Sequence, residues 1–208
     1  MTKPTKKPGL LDNSRFWVLA VGIVVSINIA GAIQFLVPNG SLQVIRIEQW
    51  YGFISIALLY AAMLASPLTK AYPDLPGKTG YLHARRAIGV LAFYYASLHA
   101  YLAFFKQLGG VNGIGYYNDT YVAAIFLGVF ALAILAVMTM TSLDWAVKVM
   151  GFKNWKLLHR LVYFAGLAVL IHVILIGSHF DGLGVLSTLT AVGVVILLWL
   201  EFKRLQAS

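Results

Sequence analysis

The chain has 208 residues, of which 60% are apolar and 11% are charged. Soluble globular domains carry about 25% charged residues, so this composition excludes an ordinary soluble domain and predicts a polytopic helical membrane protein. Lysine and arginine outnumber aspartate and glutamate by 16 to 7, which gives a formal net charge of +9. The sequence contains no cysteine, which excludes thiolate-bound iron–sulfur clusters, covalently attached haem and redox disulfides.

A basic tail, residues 1–15, precedes the first apolar stretch without a clear small-residue cleavage site, so we expect a retained first helix. Crossing the hydrocarbon core of a bilayer takes about 20 apolar residues. Six stretches approach or reach that length: 16–37, 49–64, 84–105, 121–140, 155–179 and 183–200. We therefore predict an all-α protein, a six-transmembrane-helix bundle that forms one domain over residues 16–204. A short interfacial amphipathic helix is expected within residues 141–154.

The distribution of lysine and arginine indicates the orientation of these spans. With six spans both termini lie on one side of the membrane, and fourteen of the sixteen cations then lie on that same side. Arg46 and Lys106 are the two on the other side. The positive-inside rule places both termini in the cytoplasm, with the chain in the inner (plasma) membrane. Topology and contact with membrane lipid thus account for the basic surplus, and nucleic-acid binding loses its support.

Three histidines lie within the predicted spans, where an unpaired polar side chain is costly and marks a functional site by default. The third span carries His99, and the fifth carries His159 and His172. His172 follows His159 by thirteen residues, about 20 Å along a helix. His99 lies fourteen residues after Arg85, so it reaches a depth similar to that of His172. Two imidazoles on facing helices at one depth are suited to the axial positions of a haem iron.

A second group of candidate residues lies near the cytoplasmic ends of the same spans. His159 is expected opposite His83, Arg85 and Arg86, with Arg160 beside it. Such cations suit haem propionates, which need positive partners. Seven residues after His159 the helix has Gly166, whose missing side chain would leave a notch for a flat macrocycle on the same face. Small residues are also frequent at helix contacts for packing alone.

Two segments resemble a known family. The third span reads ARRAIGVLAFYYASLH and the fifth reads WKLLHRLVYFAGLAVLIH, with sixty residues between His99 and His159. They resemble the ferric-reductase-like transmembrane haem proteins, and among these the haem-binding subunits of methionine sulfoxide reductase systems (MsrQ type), over about residues 50–179. The resemblance implies that His99 and His172 ligate an outer haem b and that His159 ligates an inner one. Larger relatives have a histidine at the position of Arg85, so the inner second ligand stays open between His83 after a local distortion, water, and none.

The resemblance also implies a function, that of a transmembrane electron-transfer cytochrome b in an oxidoreductase. We expect no flavin domain in these 208 residues, so electrons would come from a cytoplasmic flavin reductase, bound flavin mononucleotide (FMN) or a quinol. The implied acceptor is extracytoplasmic, a periplasmic methionine sulfoxide reductase subunit.

Two alternatives to this function stay open. The first is a stand-alone ferric- or oxygen-reducing membrane reductase. The second is a metal or proton transporter with histidines as transient ligands or relay groups. The predicted spans contain essentially no carboxylates between their ends, and that absence favours haem over transport.

Overall fold

The structure is a computed structural model that describes residues 14–38, 40–177 and 184–206, and these form helices joined by short turns. The α-helices are α1 (Ser14–Leu36), α2 (Ser41–Ala71), α3 (Lys78–Leu102), α4 (Val111–Ile114), α5 (Asp119–Met140), α6 (Asp144–Met150), α7 (Phe152–Leu158), α8 (Val162–Gly177) and α9 (Gly184–Gln206). A π-helical turn (Ala103–Gln107) extends α3, and a 3-10 turn (His159–Leu161) joins α7 to α8. The prediction of an all-α fold is confirmed.

Within the described residues, five helical segments are long and apolar enough to cross a membrane, and the chain is a multi-pass membrane protein. They are Arg15–Leu36, Ser41–Ala71, Lys78–Gln107, Asp119–Met140 and Phe152–Ile176. The predicted sixth span corresponds to α9, which forms a helix of 23 residues. Its role as a span and the side of the termini stay predictions. The predicted basic tail falls almost entirely outside the described residues, as does the predicted end of the fifth span at residue 179.

The second span is much longer than the sequence predicted. It was expected over residues 49–64, whereas α2 begins eight residues earlier and continues through Pro67 to Ala71. Proline within a helix removes one backbone hydrogen bond. The proline leaves the carbonyl of Met63, four residues earlier, without its helical donor. Polar side chains contact the carbonyls on either side of that position, since Arg85 Nε donates to the Ala62 carbonyl at 2.9 Å and Thr69 Oγ1 donates to the Ala65 carbonyl at 2.7 Å. The predicted end of this span at residue 64 was therefore wrong.

Helix α3 occupies the centre of the bundle, where it packs against α1, α2 and α5, while α8 packs against α5 and α9. Ala92 of α3 and Ala165 of α8 are fully buried in the main apolar core. Small residues at these positions let helices approach closely, which is the main source of packing energy between helices in lipid. The close approach of α1 to α3 depends on Gly22, where a Cβ would lie 2.4 Å from Leu91 Cδ2.

Tyrosine hydroxyls join the helices through backbone carbonyls. Tyr95 of α3 donates to the Gly22 carbonyl at 2.7 Å, and Tyr51 of α2 donates to the Ser26 carbonyl at 2.9 Å. Tyr60 of α2 donates to a carbonyl of α8 at 3.0 Å. Hydrogen bonds of this kind fix the rotation of each helix about its axis, and thereby the faces on which the histidines lie.

The segment between the fourth and fifth spans forms two short helices, α6 and α7. Trp145 and Val149 of α6 are 70% and 67% exposed, and Lys148 lies on the same helix. Exposed apolar side chains beside a cation are typical of a helix that lies at a membrane interface. The structure therefore confirms a helix in the predicted segment.

Candidate functional site

The imidazole rings of His99 and His172 lie beside each other although α3 and α8 are not a closely packed pair in the described part of the chain. Their ring centres are 6.2 Å apart and their planes are nearly perpendicular, at 88°. With a metal–nitrogen bond of about 2 Å and roughly 1 Å from each nitrogen to its ring centre, two imidazoles on one iron have centres about 6 Å apart. The separation of the two rings therefore matches that of two axial ligands.

One nitrogen of each ring is held by a backbone carbonyl of a neighbouring helix. His99 Nδ1 lies 3.1 Å from the Glu48 carbonyl of α2, and His172 Nδ1 lies 2.7 Å from the Ala124 carbonyl of α5. A carbonyl only accepts hydrogen bonds, so each contact selects the tautomer in which Nδ1 carries the proton. The Nε2 lone pairs are thereby available to a metal, and a hydrogen-bonded second nitrogen is the usual arrangement in metal-ligating histidines.

A glycine lies under each of the two rings. A Cβ at Gly52 of α2 would lie 2.9 Å from His99 Nδ1, and a Cβ at Gly128 of α5 would lie 3.1 Å from His172 Nδ1. Each glycine follows, by four residues, the residue whose carbonyl accepts from that ring. The ring reaches the carbonyl because the next turn has no side chain. Both histidines thus contact a carbonyl across a glycine of the neighbouring helix. The sequence analysis did not predict this arrangement. Its signal in the sequence was a glycine in each neighbouring span, Gly52 and Gly128.

Glu48 is a second feature that sequence reasoning missed. Its carboxylate Oε1 lies 3.2 Å from His99 Nδ1, and the residue is 8% exposed. The residue precedes the predicted second span, 49–64, but α2 begins at Ser41 and includes it. A buried carboxylate is therefore present in a membrane-spanning helix, and the argument that rested on the absence of such groups was wrong.

The third histidine, His159, lies in the 3-10 turn between α7 and α8. Its ring packs on Trp155 with centres 4.0 Å apart, and its Nε2 lies 3.3 Å from Thr141 Oγ1. Trp155 in turn donates from Nε1 to the Thr141 carbonyl at 2.9 Å. Helix α7 and the end of α5 thereby hold this imidazole in place, thirteen residues before His172.

The predicted cations have different partners around His159. Arg85 donates to Ser66 Oγ at 2.8 Å, while Arg86 pairs with Asp144 at 2.7 Å and stacks over Trp155, with Cζ 5.0 Å from the ring centre. Asp144 also lies 3.6 Å from Arg15. Both Arg85 and Arg86 lie within electrostatic reach of His159. Arg160 is exposed. The expected positive environment is present, with an acidic partner for Arg86 that was not expected.

Gly166 does not leave the predicted notch on the face of His159. The notch at Gly166 is filled by Met63 and Tyr60 of α2, since a Cβ there would lie 3.1 Å from Met63 Cε. The predicted shared face assumed a continuous helix, but the 3-10 turn advances about 120° per residue rather than 100° and changes the phase. His83 is exposed on α3, with no hydrogen bond or ring contact to His159 in the described residues.

Comparison with known proteins shows the family of this chain. Residues 50–170 match the family described as "Ferric reductase like transmembrane component". The chain is 30% identical over 178 residues to the protein-methionine-sulfoxide reductase heme-binding subunit MsrQ of Brucella anthropi, covering 83% of this chain and 74% of that protein. The corresponding subunit of Brucella ovis is 32% identical over 129 residues, covering 62% of this chain and 56% of that protein.

A second group of relatives is longer. The chain is 31% identical over 179 residues to the magnetosome protein MamZ of Paramagnetospirillum magneticum, covering 83% of this chain but 26% of that protein. The chain thus spans about a quarter of the length of that relative. No solved structure matches the chain. The match over residues 50–170 and the similarity to most of the length of MsrQ show that this chain belongs to the ferric reductase-like transmembrane family.

Proposed function

We propose that this protein is a membrane cytochrome b that passes electrons across the bilayer, from a cytoplasmic donor to an extracytoplasmic acceptor. The observation that carries the proposal is the pairing of His99 with His172, with ring centres 6.2 Å apart and each Nδ1 occupied by a backbone carbonyl. The name of the Brucella relatives, heme-binding subunit, supports the same cofactor.

The residues of the outer pair have defined roles in this proposal. His99 and His172 bind the iron of a haem b through Nε2, and Gly52 and Gly128 leave room for the rings to reach their carbonyl partners. Bound haem supplies a one-electron couple whose potential follows the ligands, burial and nearby charge. Because both imidazoles are already held by hydrogen bonds, they need little rearrangement when the iron changes oxidation state.

An inner haem, if the protein binds two, would be held by His159. Arg85, Arg86 and Arg160 are its proposed propionate partners. Gly166 and His83 were also predicted to belong to this inner site, but they are less well placed to contact the haem. Gly166 contacts α2, and His83 faces away from the packed interior. Water or an empty position at the iron therefore fits the inner site better than His83 does.

The direction of transfer follows from the proposed topology. Helix α9 would be the sixth span, and both termini would be cytoplasmic. The positive-inside rule favours this topology, because it places fourteen of the sixteen lysines and arginines on the side of the termini. His159 then lies toward the cytoplasm and the His99–His172 pair toward the outer face. Electrons would enter from a flavin reductase, bound FMN or a quinol at the inner side.

The proposed acceptor is an extracytoplasmic methionine sulfoxide reductase subunit. The printed name of the MsrQ relatives, which makes them subunits of such a reductase, supports this partner. A stand-alone ferric- or oxygen-reducing reductase is the alternative within the same class. The two are distinguished by whether electrons leave the reduced protein only when the partner subunit is added.

The experiment is a set of reduced-minus-oxidised spectra of the purified protein together with the haem-to-protein ratio. We expect a Soret band and sharp reduced α and β bands, with a ratio of one or two. Reduction by flavin reductase with FMN, or by a quinol, names the donor, and reoxidation by added methionine sulfoxide reductase or by ferric chelate names the acceptor. A folded, colourless protein that binds no added haem would contradict the proposal.

A transporter is the second candidate, and Glu48 is the observation that favours it. A buried carboxylate beside His99 is a common arrangement for moving protons or metal ions through a membrane. Proteoliposomes that move protons or divalent metal ions without haem, and lose this activity in Glu48→Gln, would support transport. If the protein shows haem spectra and its proteoliposomes move neither protons nor metal ions, the cytochrome proposal stands.

A further inference from the structure

The two proposed haem ligands differ in one respect, the carboxylate of Glu48. Glu48 and Ala124 hold equivalent places in the two neighbouring helices, since the carbonyl of each lies next to a histidine Nδ1. Alanine offers only that carbonyl, at 2.7 Å from His172. Glu48 offers its carbonyl at 3.1 Å and its carboxylate at 3.2 Å from the same His99 nitrogen. One imidazole therefore has a carboxyl group beside it and the other does not.

The burial of Glu48 places this carboxyl group in a low-dielectric environment. The residue is 8% exposed, so water does little to screen its carboxylate from the ring. The hydrogen bond of His99 Nδ1 goes to the Glu48 carbonyl at 3.1 Å, and the carboxylate, at 3.2 Å, acts on the ring through its charge. The contact also has a fixed geometry, because Gly52, one turn along α2, lets the ring rest against the helix beside the carboxylate.

We propose that Glu48 is a positioning residue for His99: its carbonyl holds the Nδ1–H group, and the negative charge of its carboxylate increases electron donation from Nε2 to the iron. This inference rests on the proposed function, since it needs haem at the outer pair. Hydrogen-bond acceptors on the second nitrogen raise the basicity of a ligating histidine. A more basic ligand and a nearby negative charge both favour the ferric over the ferrous state, so Glu48 lowers the reduction potential of the outer haem.

The test is a redox titration of the intact haem-loaded protein in detergent at one fixed alkaline pH, at which the Glu48 carboxyl group is ionised. Glu48→Gln keeps the size of the side chain and an acceptor oxygen but removes the charge. At a fixed applied potential we expect the ferrous-to-ferric ratio to rise about tenfold, which for a one-electron couple is about 59 mV. Asp119→Asn, which removes an exposed carboxylate at the start of α5, is the matched control and should leave the ratio unchanged.

A potential in Glu48→Gln equal to that of Asp119→Asn overturns the inference and leaves haem ligation by His99 intact. If Glu48→Gln loses its haem, the reduction potential is measured in Glu48→Asp instead. Aspartate keeps the charge, but its shorter side chain places the carboxylate farther from the ring. A higher potential in Glu48→Asp supports the inference, and an unchanged one overturns it. A wild-type protein without haem contradicts the proposed function itself, so the two failures are distinguishable.

Discussion

The glycines under the two imidazoles allow a sharp test of how the outer site is built. Gly52→Ala would place a Cβ 2.9 Å from Nδ1 of His99, and Gly128→Ala would place one 3.1 Å from Nδ1 of His172. Heavy atoms in ordinary van der Waals contact lie about 3.5–4.0 Å apart. Each ring must therefore move by roughly 0.5 Å or the two helices must separate, and the bond to the carbonyl is strained in either case.

The size of the effect follows from what the displaced ring loses. The hydrogen bond from Nδ1 contributes about 0.5–1.5 kcal/mol. Changes in the hydrogen-bond partners of metal-ligating histidines typically cost about 10- to 100-fold in metal affinity, which is about 1.4–2.8 kcal/mol. We expect haem affinity to fall within that range in both variants. Gly52→Ala should have the larger effect because its contact is shorter and because His99 has two acceptors to lose.

The assay is a haem titration of the apoprotein in detergent micelles, followed at the Soret band, together with thermal unfolding of the apoprotein. Gly31→Ala on α1 is the matched control, because a Cβ at that position meets nothing within 4 Å. Replacing a helical glycine by alanine generally adds up to about 1 kcal/mol of helix stability. Weaker haem binding without a matching loss of apoprotein stability is therefore the expected signature. Wild-type affinity in both variants would refute the reasoning that these glycines place the ligands.

Three further predictions concern the inner site and the packing. His159→Ala should lower the haem-to-protein ratio by one in a two-haem protein, as measured by pyridine haemochrome; an unchanged ratio with a normal spectrum would assign this histidine to packing against Trp155. Tyr60→Phe removes the bond to the α8 carbonyl and should destabilise the protein by about 0.6 kcal/mol in detergent unfolding, and an unchanged midpoint would show that the bond contributes nothing. Ala165→Leu adds volume where no surface is exposed and should cost about 1–3 kcal/mol, so wild-type stability would contradict the close packing of α8.

The placement of the outer pair was predictable from the sequence because it depends on regular helix geometry. Counting residues from Arg85 to His99, and from His159 to His172, gives similar depths, and the structure brings His99 and His172 together. The same counting failed at Gly166, because a 3-10 turn at His159 changes the rotation between the two residues. Periodicity within one helix carries information only as far as the helix is continuous.

The partners of the histidines were not predictable in the same way. Glu48 and Gly52 reach His99 from another helix, 51 and 47 residues away in the chain, and no local pattern specifies that contact. The misplaced start of α2 added to the difficulty, because it left Glu48 in a loop. Likewise the second span was predicted to end at residue 64, whereas α2 continues through Pro67 to Ala71 in contact with Arg85 of another helix.

Axial ligation by the His99–His172 pair is the central claim, and electron paramagnetic resonance of the ferric protein tests it most directly. We expect a low-spin signal in the wild type that is lost from the outer haem, in favour of a high-spin signal, in both His99→Ala and His172→Ala. His83→Ala, which changes an exposed histidine on α3, should keep that low-spin signal. A low-spin signal of the outer haem that persists in either His99→Ala or His172→Ala would contradict the account.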